Sequence, residues 1–221
     1  MALDEEWVVK LDRPEFRGVA VIEAELLIAL RDSGVPVPVV RDIVELDDRT
    51  GFEMERLHGP LLADVIEDRQ AADDLAGRFV DLHLQINEAS PVGLADLGQR
   101  LAREIRTGGL DSVVSEELAR MAVELWSPTG LCHFDFHPHN IIVTTQGWRV
   151  IDWLGAAVGS THADFARTLL LRADHAEPVA VAFMAEVRAR GSAARGLEEH
   201  DFASWYRVVA AARLAEGFVG P

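Results

Sequence analysis

Apolar and polar positions change period repeatedly along the first sixty residues. Residues 6–11 (EWVVKL) alternate, which predicts a short strand with Trp7 and Val9 on one face and Val8 and Lys10 on the other. Residues 21–30 shift to helical spacing. Ile22, Leu26 and Leu30 recur every fourth position, widened by Leu27, so this stripe is predicted to face the core. The stretch Ser33-Gly34-Val35-Pro36-Val37-Pro38 ends the helix, because glycine and spaced prolines cannot continue it. Residues 39–46 and 52–54 read as an antiparallel pair of strands joined by a polar turn over 47–51. Gly59-Pro60 then breaks the chain and predicts a lobe boundary near Leu57.

The rest of the pattern is mainly helical. Residues 74–86 place Leu75, Phe79, Leu82 and Ile86 on one face, and Leu97, Leu101 and Ile105 form another stripe. Ser115 is predicted to cap a third helix, with Glu116 and Glu117 in its first turn. Residues 130–140 (GLCHFDFHPHN) interrupt the helices as a dense polar loop. Two short strands follow, 141–143 and 148–152, around a turn at 145–147. Thr161-x-x-Asp164 reads as a capping box for a helix to about Leu171, Pro178 suits the first turn of the next helix, and a final helix is predicted over 199–216. No internal repeat or low-complexity tract is present.

Composition narrows the class of function. With 221 residues, 49% hydrophobic and 26% charged, the chain is an ordinary globular one, long enough for one large domain or two small lobes. Its formal net charge of -16, from 37 acids against 21 bases, disfavours a nucleic-acid partner and would attract a cationic small ligand. Cys132 is the single cysteine, so neither an internal disulfide nor a cysteine metal knuckle is expected. The segment MALDEEWVVK lacks the basic region and apolar run of a signal peptide, and no segment approaches a membrane span; a cytoplasmic location is expected. Lys10 is the only lysine, every other base being arginine. Codon preference accounts for the arginine excess but not for the lysine that remains, and a compact ammonium suits contact with a phosphate.

The polar loop carries the candidate chemistry, because His133, Asp135, His137, His139 and Asn140 fall within eight residues. One reading is a polar turn with satisfied imidazoles. A second is a metal hydrolase in which His137-x-His139 and carboxylates bind zinc, weakened by Pro138 between the histidines and by the lack of a further His pair. A third is phosphoryl transfer. In that chemistry Asp135 accepts the proton of the attacking hydroxyl, while Asn140, five residues later, and Asp152, after the next hairpin, supply hard oxygens to magnesium. Lys10 would neutralise nucleotide phosphates, held by a carboxylate from the helix that follows it.

The segments His133-Phe-Asp-Phe-His-Pro-His-Asn140, Val150-Ile-Asp-Trp-Leu-Gly155 and Gly159-x-x-x-x-Asp164-x-Ala166 together resemble the aminoglycoside phosphotransferase family, relatives of choline kinase and the protein kinases. The resemblance covers nearly the whole chain. It implies an α/β (α+β) bilobal, protein-kinase-like fold. A reduced N-lobe (residues 1–57) would hold a small antiparallel sheet and one helix, and residues 58–221 would form a mainly helical C-lobe. It implies transfer of the terminal phosphoryl group of ATP or GTP, with Mg2+, to a hydroxyl of an aminoglycoside-like molecule or another amino alcohol or antibiotic. By the same match Asp135 is the catalytic base, Asn140 and Asp152 are magnesium ligands, and Lys10 binds phosphates. Glu23 pairs with Lys10 (Glu25 being the next choice), and the backbone at Glu55 and Leu57 meets adenine. Residues 79–83 resemble the helix packed behind the loop; His133 and His137 would brace it, His139 would face solvent, and Asp164 would cap or anchor its own helix. Two positions depart from the family pattern: Phe134 stands where glycine is usual, and Ser160 replaces a common aspartate. Only nine residues precede Lys10, too few for the strands whose loop covers the phosphates, so a nucleotide-binding pseudoenzyme of the same fold is the alternative expectation.

Overall fold

The computed structural model describes residues 5–15, 17–89, 93–171 and 177–216. In chain order these form β1 (Trp7–Leu11), α1 (Val19–Asp32), β2 (Val40–Leu46), β3 (Arg49–Glu55), α2 (Leu62–Val65), α3 (Arg69–Glu88), α4 (Leu97–Thr107) and α5 (Ser112–Glu124). They continue as β4 (Thr129–Cys132), β5 (Ile141–Thr144), β6 (Gly147–Val150), β7 (Ala157–Ser160), α6 (Thr161–Leu171), α7 (Pro178–Arg195) and α8 (Glu199–Leu214), with short 3-10 helices at Pro138–Asn140 and Trp153–Gly155. Among the described residues no helix is long and apolar enough to cross a membrane. The chain divides into two compact units. One draws on Met1–Val65, Ala89–Val92 and Pro138–Leu154, the other on Ile66–Glu88, Gly93–His137 and Gly155–Pro221.

In the first unit β1, β3 and β2 form an antiparallel sheet in that order, with Lys10 and Ile43 both registered against the buried Phe52. The connection between β2 and β3 is tighter than the expected turn over 47–51. Asp47 and Asp48 take left-handed conformations (φ 51 and 57), the geometry of a two-residue hairpin turn, so β3 already begins at Arg49. Helix α1 is also rotated from the expected stripe. Its buried side chains are Ala20, Glu23, Ala24, Leu27 and Leu30, whereas Ile22 is 62% exposed. Small alanines let the helix approach closely, and the carboxylate of Glu23 turns inward to a cation. The β5–β6 hairpin joins this unit through Val143 N to Pro60 O (2.9 Å) and Val150 N to Pro36 O (2.8 Å). Gly59 lies so close to the Val143 carbonyl that any side chain there would overlap it.

The second unit is a helical assembly around a two-stranded antiparallel pair, β4 and β7. Leu97, Leu101 and Ile105 of α4 are fully buried, each contributing about 2 kcal/mol of transfer free energy. Asp96 caps this helix, accepting from Gln99 N at 2.7 Å. Two expected caps move. Asp111, not Ser115, caps α5, accepting from Val113 N (2.9 Å); Ser115 is buried and donates to Ile105 O. Ser160, not the Thr161-x-x-Asp164 box, caps α6 by accepting from Ala163 N at 3.0 Å. In each case the acceptor standing just ahead of the first turn reaches the unpaired N–H groups first. Strand β4 leaves no mark in the apolar pattern, since its residues TGLC carry no alternation. A Cβ at Gly130 would overlap the Asn87 carbonyl, so glycine lets this strand lie directly against α3.

Candidate active site

Strand β1 presents Val8 and Lys10 on the side opposite the buried Val9. Helix α1 brings Glu23 to the same place, and Lys10 Nζ donates to Glu23 Oε1 at 2.5 Å. Glu25, two positions on, is exposed on the helix's outer side. A cavity of about 420 Å³ is lined by Lys10, Glu23, Glu55, Leu57, Asn140 and Asp152 among others. A second cavity, about 510 Å³, shares Lys10, Glu23 and Asp152 and is also lined by Asp12 and Arg13. Of the residues expected to act as base, to bind nucleotide or to hold magnesium, all but Asp135 and the second-choice Glu25 therefore line one concavity within the first unit.

The local structure explains how each arrives. Glu55 ends β3 and is tied twice to the start of β2: its N–H donates to Val39 O (2.8 Å) and its carboxylate accepts from Val39 N (3.2 Å). Leu57 lies past the strand end, where its main chain makes no hydrogen bond among the described residues. Asn140 is buried at the end of a 3-10 turn, and its carbonyl accepts from Ile151 N at 2.9 Å. That bond fastens the residue immediately before Asp152. Asp152 itself has φ 63, a left-handed turn that takes its side chain out of the strand direction. The buried Trp153 closes the turn, donating from Nε1 to Val150 O at 3.0 Å.

Asp135 belongs to the second unit, in the loop delivered by β4. Its N–H donates to His133 Nδ1 (3.1 Å), and its Oδ1 lies 3.7 Å from His137 Nε2. The loop hangs on a residue whose reach the sequence did not reveal. Asp164, 0% exposed, accepts from Phe134 N (2.8 Å), His133 N (3.3 Å), Asn87 Nδ2 (3.0 Å) and His83 Nε2 (2.8 Å). Burial by itself would raise this carboxyl; the His83 contact and the Phe134 N–H outweigh it and hold it below its usual range. Burial lowers the His83 imidazole despite the carboxylate beside it, so the ring is neutral and donates its Nε2 proton to an ionised Asp164. His83 in turn stacks on Phe136 at a ring separation of 4.4 Å, and Phe79 meets the same ring at a tilt, 4.5 Å away. The sequence signal for this hub was a polar residue at an apolar position: Asp164 sits in a turn of α6 whose neighbours are all buried.

The phosphotransferase enzyme family profile matches residues 2–206. The chain belongs to the phosphotransferase enzyme family. No curated protein matches it. Among solved structures it is similar to an aminoglycoside-3'-phosphotransferase of type VIII, with 22% identity over 93% of this chain and 84% of that one and a TM-score of 0.66. It is also similar to the aminoglycoside phosphotransferase APH(3'')-Id of Streptomyces rimosus in complex with ADP and streptomycin (18% identity, 95% and 88% covered, TM-score 0.65). A choline/ethanolamine kinase family protein of Mesorhizobium loti matches at 12% identity, 97% and 83% covered, with a TM-score of 0.56. The fold is thus the protein-kinase-like α/β arrangement, and the chain is a small-molecule kinase by its family.

Within this phosphotransferase the two departures from the family pattern have structural answers. Phe134 occupies a left-handed conformation (φ 63) that would suit glycine, at a cost of about 1 kcal/mol or more. Its ring is buried beneath the guanidinium groups of Arg100 (4.7 Å) and Arg167 (5.2 Å), and its N–H is held by Asp164. Ser160, standing in place of the aspartate common in the pattern, still supplies a capping oxygen to Ala163 N. Cys132 is fully buried, and burial pushes its thiol well above the ordinary value, so it is an inert core residue.

Proposed function

We propose that this phosphotransferase moves the terminal phosphoryl group of ATP, or GTP, to a hydroxyl of a small molecule such as an aminoglycoside, another amino alcohol or an antibiotic. The carrying observation is the cavity that gathers Lys10, Glu23, Glu55, Leu57, Asn140 and Asp152. In this reading residues 1–57 act as the N-lobe and 58–221 as the C-lobe. The main chain at Glu55 and Leu57 receives the base, and Lys10, oriented by Glu23, neutralises the phosphates. The net charge of -16 favours a cationic acceptor, and a cytoplasmic location supplies the nucleoside triphosphate.

Asn140 and Asp152 offer hard oxygens to one cavity, and among the described residues no group of three or more His, Cys, Asp or Glu side chains is placed to hold a metal ion. A sparse oxygen set of this kind fits magnesium, which keeps waters and takes further oxygens from phosphate. When bound, the ion would offset charge on the phosphates. The chain's own part is to orient and to move a proton. Asp135 accepts the hydroxyl proton as the acceptor oxygen bonds to the terminal phosphorus. The bond from that phosphorus to the bridging oxygen breaks, and the nucleoside diphosphate departs with the electron pair. Asp135→Ala is expected to lower kcat by about a thousandfold, with nucleotide affinity nearly unchanged, in an ADP-release assay over a panel of hydroxyl acceptors. Retained turnover would remove Asp135 from the role of base.

A further inference from the structure

Helix α1 starts without a cap of its own. Gly18 stands at its N-cap with φ 85 and no side chain to accept from the first turn. Asp12, six residues earlier, supplies both acceptors instead: Gly18 N donates to Oδ2 at 2.5 Å and Ala20 N to Oδ1 at 2.6 Å. The main chain of the same residue belongs to the sheet. Asp12 N donates to Thr50 O (2.8 Å), which extends the β1–β3 ladder past Leu11, and the Arg49 guanidinium donates to Asp12 O from Nε (2.8 Å) and Nη2. Asp12 is only 6% exposed and lines the cavity that also contains Lys10, Glu23 and Asp152.

We propose that Asp12 is a positioning residue for the Lys10–Glu23 pair, locking the end of the strand that carries Lys10 to the start of the helix that carries Glu23. Lys10 lies two residues before the clamp and Glu23 one turn beyond Ala20. The clamp matters because hydrophobicity favours a different rotation. The most apolar stripe of α1, through Ile22, Leu26 and Leu30, would turn Ile22 inward, and neighbouring positions on a helix point about 100° apart. With Ile22 inward, Glu23 would leave the cavity. The Asp12 carboxylate fixes the first turn in the orientation that exposes Ile22 and buries Glu23.

The inference rests on the reading of Lys10 as a phosphate contact, and its test separates the two. Affinity for the non-hydrolysable nucleotide AMP-PNP with magnesium is measured by calorimetry on the full chain. Because Lys10 is the sole lysine, selective 15N labelling also reports its ammonium as one NMR signal. Asp12→Ala is expected to weaken AMP-PNP affinity by about tenfold and to shift the Lys10 signal, through loss of two charge-assisted backbone hydrogen bonds. Asp12→Asn, which keeps one acceptor oxygen, should fall between wild type and alanine. In a Glu23→Gln background, Asp12→Ala should add less than about twofold, since residues acting through one pair are not additive. If Asp12→Ala does not fold, Asp12→Asn and Arg49→Ala provide the same readouts. A lowered Tm with wild-type affinity and an unmoved Lys10 signal would overturn the proposal, as would independent, multiplying effects of Asp12 and Glu23. If Lys10→Ala leaves affinity intact, the phosphate reading fails and takes this proposal with it. If Lys10→Ala weakens binding and the Asp12 variants do not, the positioning role alone fails.

Discussion

Lys10 and Glu23 meet at 2.5 Å with 41% of the lysine side chain still exposed, whereas His83 and Asp164 meet at 2.8 Å with 1% and 0% exposed. In the first unit the lysine end of the pair opens onto a cavity, where solvent screens it, while the Glu23 carboxylate behind it is buried. In the second unit the carboxylate is dry, so its desolvation is offset only because several donors converge on it. One arrangement leaves a charge facing a cavity; the other fixes a loop. A side chain's contribution to activity and its contribution to stability are therefore expected to separate cleanly between the two units.

The sharpest way to break this contrast is Asp164→Ala. It strands the N–H groups of His133 and Phe134 together with the side-chain donors of His83 and Asn87 in a buried site. A loss of about 3–5 kcal/mol in denaturant-induced unfolding is expected, with activity lost as the loop is released. Lys10→Ala should do the reverse. Its kcat/KM is expected to fall about a hundredfold while stability drops by about 1–2 kcal/mol, the Glu23 carboxylate losing its cation but facing the cavity, so that steady-state kinetics change far more than a melt on the same sample.

Acidification gives the smallest and most diagnostic effect. The His83 ring titrates below its ordinary 6.5 in the folded chain because burial disfavours its charged form. Below that pH the unfolded chain binds a proton that the native chain does not, so stability declines as pH falls from 7 toward 5. Asp164, also held low, keeps its contribution above the ordinary 3.8 and loses it only as pH drops through its still lower native value, outside that window. Unfolding midpoints at pH 7 and 5 should therefore differ. His83→Gln, whose amide can still donate to Asp164, should flatten the difference; an unchanged slope would mean that His83 is not the source of the pH dependence.

Much of the candidate site was legible along the chain. The spacing of Asp135, Asn140 and Asp152 and the solitary Lys10 are one-dimensional facts, and together with the motif segments they identify the family. Apolar spacing also located most helices, because a stripe such as Leu97, Leu101 and Ile105 has only one way to be buried. The caps were less legible. Ser115 and Asp164 both look like helix-start signals, yet one donates to the end of α4 and the other receives the loop after β4. A polar side chain's local preference yields when a distant, buried group needs it more.

By itself, then, the sequence determined the order and type of most elements, though not α2, β4 or β7, and the set of chemical groups available, since periodicity and motif spacing are properties of neighbours along the chain. Tertiary structure alone decided which face of α1 is buried. The every-fourth spacing of apolar residues nominates Ile22, but the Lys10 ammonium from β1 and the Asp12 carboxylate at the helix start select Glu23. Those partners lie 13 and 11 positions from Glu23, a separation no local pattern encodes, and their charge-assisted hydrogen bonds outweigh the transfer free energy of one exposed isoleucine.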